Sequence, residues 1–105
     1  MGMKMLLERH GYQITLAHTA EQAVAKANAE HFDLIISDIG LPGRSGYDLM
    51  RELRNNKGLR GIALSGYGAE HDVNKARAAG FSEHLTKPIN FERLVEAIRG
   101  LLGED

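Results

Sequence analysis

The chain has 105 residues, 43% of them hydrophobic, a size and composition that suit one compact domain, residues 1–105, with a single core. Its formal net charge of −1 argues against direct binding to nucleic acid, because such domains normally carry clustered Lys and Arg. The absence of Cys excludes disulfides and thiolate metal sites, which fits a location in the reducing cytoplasm.

The amino-terminal segment 3–10 predicts a short helix, because its apolar residues fall on one side and Gly11 follows in a helix-ending position. Its apolar run is too short for a signal peptide or a membrane span, so we expect no membrane partner. The next segment, Gln13–Ala17, alternates polar and apolar residues, which is typical of an edge strand. Thr19 and Gln22 then form a capping-box pair that predicts the start of a second helix.

Three further strands and helices alternate along the rest of the chain. The run Leu34–Ser37 predicts a strand buried on both faces, and Asp38 stands at its carboxyl end. Apolar residues at the helical period of 3.6 then predict a helix from Gly46, a weak helix at Glu70–Ala79 and a helix at Phe91–Leu102, with Ser45 capping the first and Asn90 the last. A polar stretch predicts a loop at Asn55–Arg60. Short strands are predicted at Gly61–Ser65 and Glu83–Thr86. This alternation predicts an α/β fold with a parallel sheet.

Three reactive side chains follow successive strands: Asp38, Ser65 and Lys87. If those strands are parallel neighbours, their carboxyl ends open on the same crevice. A carboxylate nucleophile, a hydroxyl hydrogen-bond partner and an ammonium counter-charge together suit phosphoryl transfer. A structural alternative stays open at this point, since Asp38 could simply cap the turn that follows it.

The residues around these strand ends resemble the receiver domains of bacterial two-component response regulators, including those fused to hybrid histidine kinases. The similarity covers nearly the whole chain, in the family's order and at its spacing. It is carried by LLERHGYQITLAHTAEQAV near the start, DLIISDIGLPGRSG around Asp38, ALSGYG at Ser65 and AAGFSEHLTKPIN around Lys87. The resemblance implies a flavodoxin-like, doubly wound parallel sheet with strand order 2-1-3-4-5.

The same resemblance implies a role for each site residue. Asp38 would be the phosphoacceptor, Ser65 the hydroxyl that moves toward the phosphoryl group, and Lys87 its ion partner. Mg²⁺ would be held by Asp38 and by the backbone carbonyl of Gly40. The phosphoryl group would come from a histidine kinase or a phosphotransfer protein in a phosphorelay, and the domain would not be an enzyme beyond the phosphorylation and dephosphorylation of Asp38.

Two neighbours of Lys87 also match positions of the family. The resemblance implies a cis peptide bond before Pro88, and X-Pro is the common place for one. His84 falls where the family often has a rotating aromatic residue, so any switch there would use a different ring.

The chain departs from the family at its start. The family begins with a strand that ends in an acidic pair, which holds Mg²⁺ together with the phosphoacceptor, and neither precedes Met3. We therefore expect an amino-terminal truncation with the first strand missing, and weak or absent Mg²⁺ binding. The strand at Leu34–Ser37 would keep an unpaired edge, which predicts a rearranged sheet with Gln13–Ala17 paired to it, or a homo-oligomer through strand exchange or edge addition.

Two functions remain. The first is a phosphoacceptor receiver domain that takes a phosphoryl group onto Asp38 and changes conformation. The second is a receiver-like interaction or dimerisation module that is not phosphorylated, which the missing acidic pair favours. A third class, a small-molecule hydrolase, would need a water-activating base, and the sequence shows none. The five histidines show no metal-ligand spacing, so we assign no metal to them.

Overall fold

The computed structural model describes residues 2–39, 45–66 and 70–103. In that part of the chain, helices and strands follow one another as α1 (Gly2–Arg9), α2 (Ala20–Ala29), β1 (Leu34–Asp38), α3 (Gly46–Lys57), β2 (Arg60–Ser65), α4 (Glu70–Ala79), β3 (Glu83–Thr86) and α5 (Phe91–Leu102). The predicted helices are confirmed, as are the three strands that precede the reactive side chains. No helix within these ranges is both long and apolar enough to cross a bilayer.

The three strands form one parallel sheet in the order β1-β2-β3. The register pairs Asp38 of β1 with Leu64 of β2, and Ser65 of β2 with Thr86 of β3. The carboxyl ends of all three strands therefore lie side by side at one edge of the sheet. This edge is the crevice in which open α/β sheets bind their ligands.

Helices cover both faces of the sheet. On one face, Ile62 and Leu64 of β2 pack with Leu7 of α1 and with the apolar side of α5, including Leu94. On the other face, Ala63 packs with buried residues of α3 and α4, and α2 packs against α3. Alternate residues of β2 thus point to opposite helix layers, as a strand period of two residues requires. The doubly wound arrangement predicted from the sequence is confirmed.

The prediction of an edge strand at Gln13–Ala17 is wrong. This segment belongs to no β-ladder, and in the described part of the chain β1 pairs with β2 alone. A cleft of about 700 Å³ lies between the segment and the outer edge of β1, and residues of both line it. A strand is defined by its backbone partners, and across this cleft neither segment supplies them to the other. The rearranged sheet, in which Gln13–Ala17 would pair directly with β1, is therefore also not observed.

The cleft leaves residues on both of its walls partly exposed. The predicted two-sided burial of β1 is incorrect, because Leu34, Ile35 and Ile36 are only partly buried beside the open space. On the opposite wall, Leu16 is 49% exposed, and the Lys26 ammonium donates a hydrogen bond to the Leu16 carbonyl oxygen. A lysine side chain thus satisfies a backbone acceptor that a neighbouring strand would satisfy in a ladder.

Side-chain caps fix the starts of the helices near the site. The Ser45 hydroxyl accepts a hydrogen bond of 3.2 Å from the backbone N–H of Asp48, and Asn90 Oδ1 accepts one of 3.1 Å from that of Arg93. These bonds satisfy backbone donors that the first turn of a helix leaves free. At its other end α3 runs to Lys57, three residues into the predicted loop, and stops at Gly58 in the left-handed conformation with φ of 65°.

Candidate functional site

The backbone at the carboxyl edge of the sheet holds the three predicted site residues on adjacent strands. Asp38 is the last residue of β1, and the next residue, Ile39, donates its backbone N–H to the Leu64 carbonyl at 3.1 Å. Ser65 is the last residue of β2, and its carbonyl accepts a hydrogen bond of 2.7 Å from the backbone N–H of Lys87. Ladder-type hydrogen bonds thus continue beyond the strands and keep this edge ordered.

The structure brings the side chains of Asp38 and Lys87 together. The Lys87 ammonium forms an ion pair with Oδ1 of Asp38. About half of each side chain remains exposed, at 45% for Asp38 and 47% for Lys87. A carboxylate that is both open to solvent and held beside a cation is accessible to a charged reactant. Its counter-charge can offset the negative charge that such a reactant brings.

Ser65 lies at the same edge but directs its hydroxyl elsewhere. Its Oγ is 2.7 Å from Nε2 of His84, and the serine is only 6% exposed. The sequence resemblance marks the position of His84 but does not identify it as the partner of Ser65. The signal lay in the register: Ala63 is opposite His84 and Ser65 is opposite Thr86, so the Ser65 and His84 side chains are diagonal neighbours on one face of the sheet.

Gly46 also shapes the site, although the sequence predicts only that a helix begins there. Its backbone N–H donates a 2.8 Å hydrogen bond to the Ile39 carbonyl. A Cβ atom at Gly46 would lie 2.5 Å from the carbonyl oxygen of Asp38 and 2.8 Å from Cα of Ile39. The first turn of α3 therefore packs directly on the backbone that carries Asp38, and it leaves no space for a side chain there.

Of the two predicted magnesium ligands, the structure describes Asp38. Across residues 2–39, 45–66 and 70–103, no group of three or more His, Asp or Glu side chains is placed to hold a metal ion. Lys87 pairs with Oδ1 of Asp38, and Mg²⁺ is normally held by one or two carboxylates together with other oxygen ligands. Gly40, the other predicted ligand, lies outside the described residues. We therefore assign no chemical step to the ion.

Comparison with known proteins adds to this geometry. The sequence profile of the response regulator receiver domain matches residues 1–99, which is most of the chain. The chain belongs to the response regulator receiver family. Receiver domains are signalling modules of two-component systems rather than enzymes in their own right. The cis peptide bond between Lys87 and Pro88, implied by the sequence resemblance, is present in this receiver domain.

Solved structures of other receivers share the fold. A receiver domain protein from Methanospirillum hungatei is 31% identical, with a TM-score of 0.89 over 97% of this chain and 82% of its own. A response regulator protein from Burkholderia pseudomallei, solved with a phosphorylated aspartic acid, a calcium ion and citrate, is 32% identical, with a TM-score of 0.84 over 91% of this chain and 57% of its own. The flavodoxin-like α/β fold predicted from the sequence is therefore confirmed.

Curated relatives include longer proteins. The two-component response regulator PhoP of Pseudomonas aeruginosa is 36% identical over 97 residues, which make up 91% of this chain and 43% of PhoP. The receiver domain described here thus spans less than half the length of that relative.

Proposed function

We propose that residues 1–105 act as one phosphoacceptor receiver domain in the cytoplasm, with Asp38 as the residue that accepts the phosphoryl group. The observation that carries the proposal is the ion pair between Lys87 and the Asp38 carboxylate at the carboxyl edge of the sheet. The donor would be the phosphohistidine of a histidine kinase or of a phosphotransfer protein. The phosphorylated aspartate in the Burkholderia pseudomallei relative supports the same chemistry on this fold.

The proposed step transfers one phosphoryl group. A carboxylate oxygen of Asp38 attacks the phosphorus atom and forms a P–O bond, while the P–N bond to the donor imidazole breaks and its electron pair returns to the ring nitrogen, which takes up a proton. Such transfers depend mainly on positioning and on neutralising the charge of the phosphoryl oxygens. The Lys87 ammonium already lies beside Asp38, so it can contact those oxygens without a large movement. Hydrolysis of the resulting acyl phosphate by water would reset the domain.

The direct test uses the whole chain and acetyl phosphate as a small phosphodonor in a magnesium-containing buffer. Intact-mass spectrometry is expected to show the addition of a single phosphoryl group. Since Mg²⁺ binding is expected to be weak, the yield should rise as the Mg²⁺ concentration is raised well above the usual buffer level. A chain that gains no phosphoryl group at any Mg²⁺ concentration would contradict the proposal.

Replacing Lys87 with Gln is expected to slow phosphoryl gain about 100-fold, because removal of a charge that stabilises a developing anion typically costs two orders of magnitude or more. The matched control is Lys75→Gln, which removes an exposed cation from α4. Initial rates from the intact-mass assay make the comparison. Equal rates for the Lys87 and Lys75 variants would show that Lys87 has no part in the transfer.

A second function, as a dimerisation module without phosphorylation, is favoured by one specific observation. The outer edge of β1 is unpaired among the described residues and borders the 700 Å³ cleft. Exposed strand edges can pair with another chain through their free backbone groups. In this alternative a second copy of the chain adds its backbone at this edge, and Asp38 stays unmodified.

Sedimentation velocity over a range of protein concentrations tests this alternative. If β1 edges associate, the sedimentation coefficient should rise with concentration, and Leu16→Glu should reduce the rise by placing a charge on the cleft wall. The control Leu6→Glu alters a leucine that is 38% exposed and does not line the cleft. A monomer at all concentrations would eliminate the alternative, and equal behaviour of the two variants would remove β1 from the interface.

A further inference from the structure

The cleft beside β1 lies between the two apolar layers of the domain. Its volume is about 700 Å³, and side chains of both layers line it. On the β1 wall, Leu34 and Ile36 pack with the cluster formed by α1, β2 and α5, whereas Ile35 packs with the cluster formed by α2 and α3. An occupant of the cleft would therefore meet apolar side chains on both of its faces.

The outer edge of β1 presents backbone groups to this cleft. Ile39 donates its N–H to the Leu64 carbonyl of β2. Alternate residues of a strand direct their backbone groups to opposite sides, so the N–H and C=O groups of Leu34 and Ile36 face away from β2. In the ranges that the structure describes, no strand pairs with them. An occupant that covers this edge must supply hydrogen-bond partners, since backbone groups buried without a partner are costly.

A lysine on the wall that faces β1 carries a charge available to an occupant. Lys26 lines the cleft, and its ammonium donates a hydrogen bond to the neutral carbonyl of Leu16. Among the described residues Lys26 has no acidic partner, whereas the other two lysines on the lining, Lys4 and Lys87, are each paired with a carboxylate. Charge complementarity therefore favours an occupant that carries an acidic group.

We propose that this cleft binds an extended segment of a partner protein as an added strand on the outer edge of β1, and that the segment is apolar over about five residues and flanked by a carboxylate. The length follows from β1, which has five residues. An extended backbone supplies partners for the N–H and C=O groups of Leu34 and Ile36, and its side chains alternate toward the two apolar layers. A small apolar ligand would leave those backbone groups unpaired. The inference is independent of phosphorylation at Asp38, and unlike dimerisation it requires no second copy of the chain.

Fluorescence anisotropy with the whole chain and a labelled synthetic peptide tests the proposal. The peptide has five Val and Ile residues between two Glu residues, and its control has Pro at the central position, which cannot donate an N–H. The first peptide is expected to bind about tenfold more tightly, as loss of a ladder hydrogen bond implies. Equal affinity would show apolar adsorption only and would overturn the proposal. It is also overturned if the first peptide does not bind at any soluble concentration.

Amide hydrogen exchange followed by NMR locates the bound peptide. Saturating peptide should slow exchange at the Leu34 and Ile36 amides about tenfold, while the amides of Ile35 and Ser37, which face β2, should change little. Binding that leaves exchange at Leu34 and Ile36 unchanged would overturn the assignment of the peptide to the β1 edge.

Lys26→Gln tests the acidic flank. This variant is expected to bind the Glu-flanked peptide about threefold more weakly, as loss of a partly exposed ion pair implies, and to bind a Gln-flanked peptide as tightly as the unmodified chain does. The matched control Lys75→Gln removes an exposed cation of α4 and should leave both affinities unchanged. If Lys26→Gln weakens binding of both peptides equally, or of neither, Lys26 does not pair with the flank and the acidic partner is ruled out.

Discussion

Replacing Asp38 with Asn is expected to abolish phosphoryl gain from acetyl phosphate. The amide of Asn has no anionic oxygen to attack phosphorus, and it also removes the charge that holds the Lys87 ammonium at the edge of the sheet. Intact-mass spectrometry of the variant should show the unmodified mass at every incubation time.

The matched control for this change is Asp33→Asn. Asp33 precedes the opposite end of β1, its carboxylate is 74% exposed, and it pairs with His31 rather than with a residue of the site. This variant should be phosphorylated as fast as the unmodified chain. Phosphorylation of the Asp38 variant at the unmodified rate would show that the acceptor is another residue.

Replacing Gly46 with Ala is expected to destabilise the fold by about 1–3 kcal/mol, the usual cost of forcing an extra carbon into a tightly packed place. The new Cβ would lie 2.5 Å from the Asp38 carbonyl oxygen and 2.8 Å from Cα of Ile39, and both are backbone atoms that cannot rotate away. The strand end that carries Asp38 must therefore move, so phosphoryl gain should fall together with stability. Urea denaturation gives the free energy of unfolding, and the intact-mass assay gives the rate.

Gly100→Ala supplies the control for the glycine substitution itself. Gly100 lies within α5, and a Cβ there would meet no atom within 4 Å. This variant should gain about 0.5–1 kcal/mol of stability, because alanine is the better helix former, and should be phosphorylated normally. If both variants change stability in the same direction, the close packing of α3 on the Asp38 backbone does not control the site.

Much of the fold could be predicted from the sequence because its determinants are local. The caps Ser45 and Asn90 and the apolar side of α5 are each contained within one helix, so their spacing alone identifies the elements. The strand Glu83–Thr86 could also be predicted, since turn residues bound it on both sides.

The failed strand at Gln13–Ala17 shows the limit of that approach. Alternation of polar and apolar residues describes which side chains a strand would bury, but a strand also needs a partner for its backbone. In the described part of the chain, the cleft separates this segment from β1, and the carbonyl of Leu16 accepts from Lys26 instead. The same cleft explains why β1 is only partly buried.

The candidate site likewise has one contact that could be predicted from the sequence and others that could not. The meeting of Asp38 with Lys87 could be predicted, because residues at the carboxyl ends of neighbouring parallel strands lie on one edge. The bond from Ser65 to His84 could not, because it depends on the exact register between β2 and β3. The close packing of Gly46 on the backbone of Asp38 could not be predicted either, because it depends on how closely a helix approaches a strand end, and no sequence pattern here specifies that distance.

The position of the phosphoryl group on the unmodified chain decides whether Asp38 is the acceptor. After incubation with acetyl phosphate, borohydride reduction of the acyl phosphate and tandem mass spectrometry identify the modified side chain. Conversion is expected at Asp38 alone, beside the Lys87 ammonium. Modification of a different carboxylate, with Asp38 left intact, would contradict it.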